Sequence, residues 1–71
     1  MKKKYNLAKL ANTLKKHRLD MDLSRDELAK RAKVNYNTII KLESGANKNP
    51  TVNTLIGLAH VFDVSVEDLL G

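Results

Sequence analysis

Leu23-Ser24-Arg25-Asp26-Glu27-Leu28-Ala29-Lys30-Arg31-Ala32-Lys33-Val34-Asn35-Tyr36-Asn37-Thr38-Ile39-Ile40-Lys41-Leu42-Glu43-Ser44-Gly45 holds two helix starts and one helix stop in a single unbroken run. Ser24 is a capping residue, Glu27 stands where a capping box needs a carboxylate, and Leu23 and Leu28 are spaced to close a hydrophobic staple over the first turn. The spacing predicts a helix that starts at Ser24 and loses its pattern after Ala32. Val34-Asn35 repeats the signal, with Asn35 as cap and Val34 and Ile39 as staple. Ile39 and Leu42 supply the apolar stripe, and Gly45 ends the helix. Only Lys33 and Val34 are left to join the two helices. So short a connection makes them cross steeply rather than lie side by side.

Outward from this pair, Leu7, Leu10, Ala11 and Leu14 recur at helical spacing, which predicts a first helix from about Asn6 to about Asp20. Beyond a polar loop from Ala46 to Pro50, Thr51 is placed to cap a fourth helix. Its Val52, Leu55, Ile56, Ala59 and Phe62 are expected to face inward. Ser65 and Asp68 form another capping box, with Val64 and Leu69 as the staple, and predict a short fifth helix. Five helices and no strand signal make an all-α bundle spanning residues 6–71, preceded by a basic flexible arm at 1–5.

With 71 residues the chain is long enough for one thin-cored domain, and with no Cys it relies on packing rather than on disulfides or thiolate metal sites. No apolar stretch approaches the ~20 residues that a bilayer span requires. All thirteen Lys and Arg lie between Lys2 and Lys48, so residues 1–50, with five acids, carry a formal +8. From Thr51 onward only Asp63, Glu67 and Asp68 are charged, a formal −3. A molecule this polarised presents its first half to a polyanion.

If Ile39 and Leu42 point inward, Tyr36, Asn37, Ile40, Lys41 and Ser44 share the outer face of the third helix. Asn37 has the amide geometry for adenine, Lys41 donates to guanine or phosphate, and Ile40 packs on a thymine methyl. The plain alternative for Ile40 is an ordinary lone surface apolar residue. His17 ends a basic helix and His60 faces outward, and neither has the converging partners that a metal needs. Asp20, Asp22 and Asp26 lack the glycine and terminal glutamate of a calcium loop. Ser24 and Ser65 are caps without a nearby histidine. No catalytic residue, metal or cofactor is expected.

From about Leu10 to Leu70 the chain resembles the Cro and phage-repressor type of helix-turn-helix. The resemblance lies in Leu23-Ser24 with Glu27-Leu28-Ala29, Val34-Asn35 with Thr38-Ile39, Leu42-Glu43 and Gly45, Asn49-Pro50-Thr51, Leu55-Ile56 with Leu58-Ala59, and Val64-Ser65-Val66-Glu67-Asp68-Leu69-Leu70. It implies a five-helix, lambda-repressor-like DNA-binding domain. It further implies that Tyr36, Asn37 and Lys41 read bases, that Arg25 contacts phosphate or supports a base contact, and that Asn47 and Lys48 clamp the backbone from their loop. Asn35 and Thr38 complete the DNA-facing set with Ile40 and Ser44. Arg18 and Glu43 match a pair that bridges the first and third helices inside the fold. Asp22, Lys33 and Asp63 stand where the family often has glycine, at positions expected to need a left-handed backbone.

The function implied is a cytoplasmic transcriptional regulator, a repressor, that binds double-stranded DNA as a dimer on a near-palindromic operator. Val66 and Leu70, at the acidic end, are expected to be exposed and to meet the second copy, weakly in the absence of DNA. Two other readings are a protein-interaction module on the same fold, such as an antitoxin, and a membrane-surface helix at residues 2–18. The polar, basic outer face of the third helix favours DNA over a protein partner.

Overall fold

In the computed structural model, whose described residues are 7–70, the chain forms five α-helices: α1 (Leu7–Asp20), α2 (Arg25–Ala32), α3 (Tyr36–Ser44), α4 (Val52–Phe62) and α5 (Val66–Leu70). Among these residues there is no strand, and no helix is long and apolar enough to cross a membrane. The expected arm at 1–5, the helix start at Asn6 and the side chain of Leu7 lie outside the described residues.

Every expected cap is made. Ser24 Oγ accepts the Glu27 amide at 3.0 Å while the Ser24 amide donates to Glu27 Oε1 at 2.9 Å, closing the capping box. Donation to the carboxylate by the Ser24 amide, and then hydrogen bonding with the Ser24 side chain, hold the Glu27 carboxyl below its ordinary pKa. Asn35 Oδ1 accepts from the Asn37 amide at 2.8 Å, and Thr51 Oγ1 from the Thr54 amide at 3.1 Å. Ser65 and Asp68 exchange both bonds of a second box.

The helix ends follow one plan. Asp22, Lys33 and Asp63 all adopt the left-handed conformation, with φ of 57°, 58° and 56°. After α2, the Val34 amide reaches back to Ala29 O at 3.0 Å and the Lys33 amide to Lys30 O at 3.3 Å, the pair of bonds that satisfies the last carbonyls of a helix. The same pair recurs after α1 through Asp22 and Leu23, and after α4 through Asp63 and Val64. The end of α3 is made instead by a glycine, Gly45, with φ 83°.

Leu10 and Leu14 of α1, Leu28 of α2, Ile39 and Leu42 of α3, Leu58 of α4 and Leu69 of α5 form the centre of one core. Gly57 sets how closely α4 lies against α2, because a Cβ there would stand 2.5 Å from the carbonyl oxygen of Ala32. Two expectations need correction. Val52 and Ile56 do not face inward: they are 70% and 52% exposed, and the inner face of α4 is instead Thr54, Leu55, Leu58, Ala59 and Phe62. Val66 and Leu70 are not exposed; they are half-buried and pack against the core.

Candidate nucleic-acid interface

α3 presents two chemically different faces. Ile39, Leu42 and Glu43 are buried, while Tyr36, Asn37, Lys41 and Ser44 are exposed and Thr38 and Ile40 are half-buried. The 3.6-residue period predicts this division, with Ile40 deeper than expected.

What locks α3 in place is its one buried charge. Glu43 is 6% exposed, and Arg18 of α1 grips it with two bonds, Nε to Oε2 at 2.7 Å and Nη2 to Oε1 at 3.2 Å. The remaining Arg18 nitrogen, Nη1, donates to Leu23 O at 2.8 Å, so one guanidinium ties α1, the corner before α2, and α3 together. Forked charge-assisted bonds of this kind fix angle as well as distance. The expected Arg18–Glu43 bridge is therefore present. A second partner was not anticipated: Arg25 Nε also donates to Glu43, at 3.1 Å to Oε1.

Several residues expected at the interface have structural bonds of their own. Ser44 Oγ donates to Lys41 O at 3.1 Å and accepts the Ala46 amide at 3.3 Å, so its hydroxyl proton is already placed. The Asn35 carbonyl oxygen is taken by its cap, which leaves the amide nitrogen as the group that it can offer. Asn47 is half-buried; its side chain accepts the Asn49 amide at 2.9 Å, and its own amide donates to Lys41 O, folding the loop back on α3. Lys48 is exposed in that loop. Of the side chains expected at the interface, Tyr36, Asn37, Lys41 and Lys48 are exposed with no polar group engaged among the described residues, Asn35 keeps its amide nitrogen, and Arg25 is half-committed.

Sequence reading did not single out Lys15, which lines an open groove with Arg25, Ile40, Glu43 and Ser44. Lys15 lies on α1 three residues before Arg18, the i, i+3 spacing that puts it on the side of α1 turned toward α3. That spacing was its only sequence signal.

The helix-turn-helix family model HTH_3 matches residues 14–69. A curated protein of Archaeoglobus fulgidus, described as an uncharacterized HTH-type transcriptional regulator, is 36% identical over 56 residues, 79% of this chain and 78% of that protein. Among solved structures, the N-terminal DNA-binding domain of SinR from Bacillus subtilis is similar with a TM-score of 0.83 and 30% identity, over 86% of this chain and 88% of that one. SinR in complex with DNA, described as a master regulator for biofilm formation, gives a TM-score of 0.80 at 30% identity, over 84% and 95%.

Proposed function

The chain belongs to the helix-turn-helix family of Cro and phage-repressor type, and from that premise we propose that it is a sequence-specific double-stranded DNA-binding transcriptional regulator, a repressor. It inserts α3 into the major groove and acts as a dimer on a near-palindromic operator. The observation that carries this reading is the outer face of α3, where exposed Tyr36, Asn37 and Lys41 stand on a helix whose opposite face is held by the Arg18–Glu43 bridge. Rigid presentation matters because base edges are discriminated by hydrogen-bond geometry.

In this reading Asn37 recognises adenine and Lys41 recognises guanine or a flanking phosphate. Tyr36, Thr38 and Ile40 supply hydroxyl and methyl contacts, and the Asn35 amide nitrogen and Ser44 lie at the helix ends. Asn47 shapes the loop from which Lys48 reaches the backbone. SinR, similar over most of this chain, has been solved bound to DNA. The protein works beside the nucleoid, in the cytoplasm, without catalysis or cofactor.

Two copies are needed because one major-groove visit discriminates too weakly against the non-specific sites of a genome. The acid-bearing C-terminal half is the side least suited to phosphate. Its apolar groups available to a second copy are the exposed Val52 and Ile56 of α4 and the half-buried Val66 and Leu70 of α5. With that contact on the two-fold axis, the half-sites lie about one helical turn, or ~34 Å, apart.

Selection of bound sites from random duplexes, followed by footprinting, tests the reading. Asn37→Ala and Lys41→Ala are each expected to lose about 1–3 kcal/mol of binding to the selected site and to relax one base position, with thermal stability unchanged. Parent-like binding by both variants overturns the role of α3, and a saturating ratio of one chain per asymmetric duplex in sedimentation overturns the dimer. If selection returns no site, the exposed Val52 and Ile56 favour a protein partner instead.

A further inference from the structure

The outer face of α3 divides into two stripes. Asn37 and Lys41, four residues apart, make a polar one, and Tyr36 and Ile40, also four apart, make an apolar one beside it. The apolar stripe runs on at the same helical spacing into buried Glu43, and Ile40 and Glu43 share a groove with Lys15 of α1 and Arg25 of α2. The hydrocarbon therefore lies on the flank of α3 that borders the cations. Tyr36 is 47% exposed, which leaves much of its ring open to a ligand. Ile40 is half-buried, so packing fixes its position while part of its hydrocarbon stays open.

Across the major groove a base pair presents, in order, purine N7, the purine 6-substituent, the pyrimidine 4-substituent and the pyrimidine C5 edge. The first three are donors or acceptors, whereas C5 bears a methyl group in thymine and a hydrogen in cytosine. C5 also lies nearest the phosphates of its own strand. A helix that reads purine edges with an amide and an ammonium thus meets C5 groups on the flank turned to the pyrimidine strand. On α3 the flank suited to phosphates by its cations is the one that carries Ile40. The spacing agrees as well. Tyr36 and Ile40 stand about 6 Å apart along the helix axis, and two base steps on one strand cover about 6.8 Å.

We infer that Tyr36 and Ile40 each hold the C5-methyl group of a pyrimidine, two base steps apart on one strand, and that they read the methyl group rather than the base. Ile40 has no polar atom with which to tell the thymine oxygen from the cytosine amine, and the ring face of Tyr36 contacts a methyl group through carbon alone. The class recognised is the 5-methylpyrimidine: 5-methylcytosine serves where thymine does, and plain cytosine does not. Binding then responds to cytosine methylation at these two positions. The inference rests on the DNA-binding reading above and adds to it a signal carried by the DNA.

The test compares affinities for duplexes that differ by one methyl group, so that any change in a variant's stability cancels. In the selected duplex each thymine is replaced in turn by deoxyuridine. Two positions, two steps apart on one strand, are expected to weaken the parent about fourfold each, the worth of one buried methyl group. Ile40→Ala loses the sensitivity at one of them and Tyr36→Ser at the other. At both positions the T·A pair is then exchanged for C·G, with and without a methyl group on the cytosine. Methylation is expected to raise the parent's affinity by the same factor of about four. If no thymine responds to loss of its methyl group, or if both variants keep the parent's response, while Asn37→Ala and Lys41→Ala lose affinity, the methyl reading is wrong and the DNA reading stands. A response to deoxyuridine without one to 5-methylcytosine also overturns it, because thymine itself is then what is read. If the parent selects no duplex at all, both fall.

Discussion

α3 and α4 both pack against α2, yet they turn opposite chemistries to solvent. α3 exposes an aromatic hydroxyl, an amide and a cation, and it buries a carboxylate. α4 carries no Asp, Glu, Lys or Arg from Val52 to Phe62, and it exposes Val52 and Ile56. The contrast separates two tasks. A polar face on a helix pinned by a buried ion pair suits a hydrogen-bonding ligand, whereas a charge-free exposed face in a chain that is 30% charged suits another protein surface.

The sharpest way to break this contrast is to remove what pins α3. Glu43→Ala strands both Arg18 and Arg25, and leaving a buried charge unpaired costs about 3–5 kcal/mol. A small domain has only about 5–15 kcal/mol in total, so the variant is expected to be largely unfolded at physiological temperature. Thermal unfolding by circular dichroism checks this, and an unchanged midpoint means that α3 is held by its apolar face alone.

A smaller effect is expected on the α4 side. Gly57→Ala places a methyl 2.5 Å from the Ala32 carbonyl, which the backbone must yield to accommodate. Overpacking costs about 1–3 kcal/mol, and the better helix propensity of alanine returns about 1 kcal/mol. The expected net loss of about 1 kcal/mol is measured by denaturant titration. A more stable variant refutes the close approach of α4 to α2.

The smallest stability effect belongs to the exposed face. Val52→Ser with Ile56→Ser is expected to stay within about 0.5 kcal/mol of the parent, since neither side chain leaves a core. The same double variant is expected to bind a two-half-site duplex with lost steepness while retaining affinity for a single half-site. Stability that falls by several kcal/mol would put these residues back in the core, and unchanged steepness would remove them from the dimer contact.

The difference between α3 and α4 also explains what could be read from the chain. In α3 the apolar positions Ile39 and Leu42 are set among polar ones, so the period identifies the inner face without ambiguity. α4 is apolar almost all round, and Val52 and Ile56 fit a helical stripe as well as Leu58 does; only packing against α2, through Gly57, decides between them. The caps were legible because each depends on residues two or three apart. The bridge from Arg18 to Glu43 spans 25 residues and came from resemblance to a family. Arg25 joining that bridge, and Lys15 beside it, depend on how three helices converge, which local spacing does not encode.

The left-handed corner at Lys33 has a consequence for heat tolerance and its evolution. A lysine held at φ 58° bears a strain of about 1–2 kcal/mol that a glycine would not feel, while glycine loses about 0.5–1 kcal/mol more chain entropy on folding. The balance favours Lys33→Gly by about 0–1.5 kcal/mol, and each 1 kcal/mol gained raises the melting temperature of a domain of this size by about 4–8 °C. At Asp22 and Asp63 the short polar side chain tolerates the same conformation, and the exchange is close to neutral. Adaptation to a warmer habitat would therefore draw first on Lys33. It would give up one positive charge at the junction of α2 and α3, and with it some of the pull of this face on a polyanion.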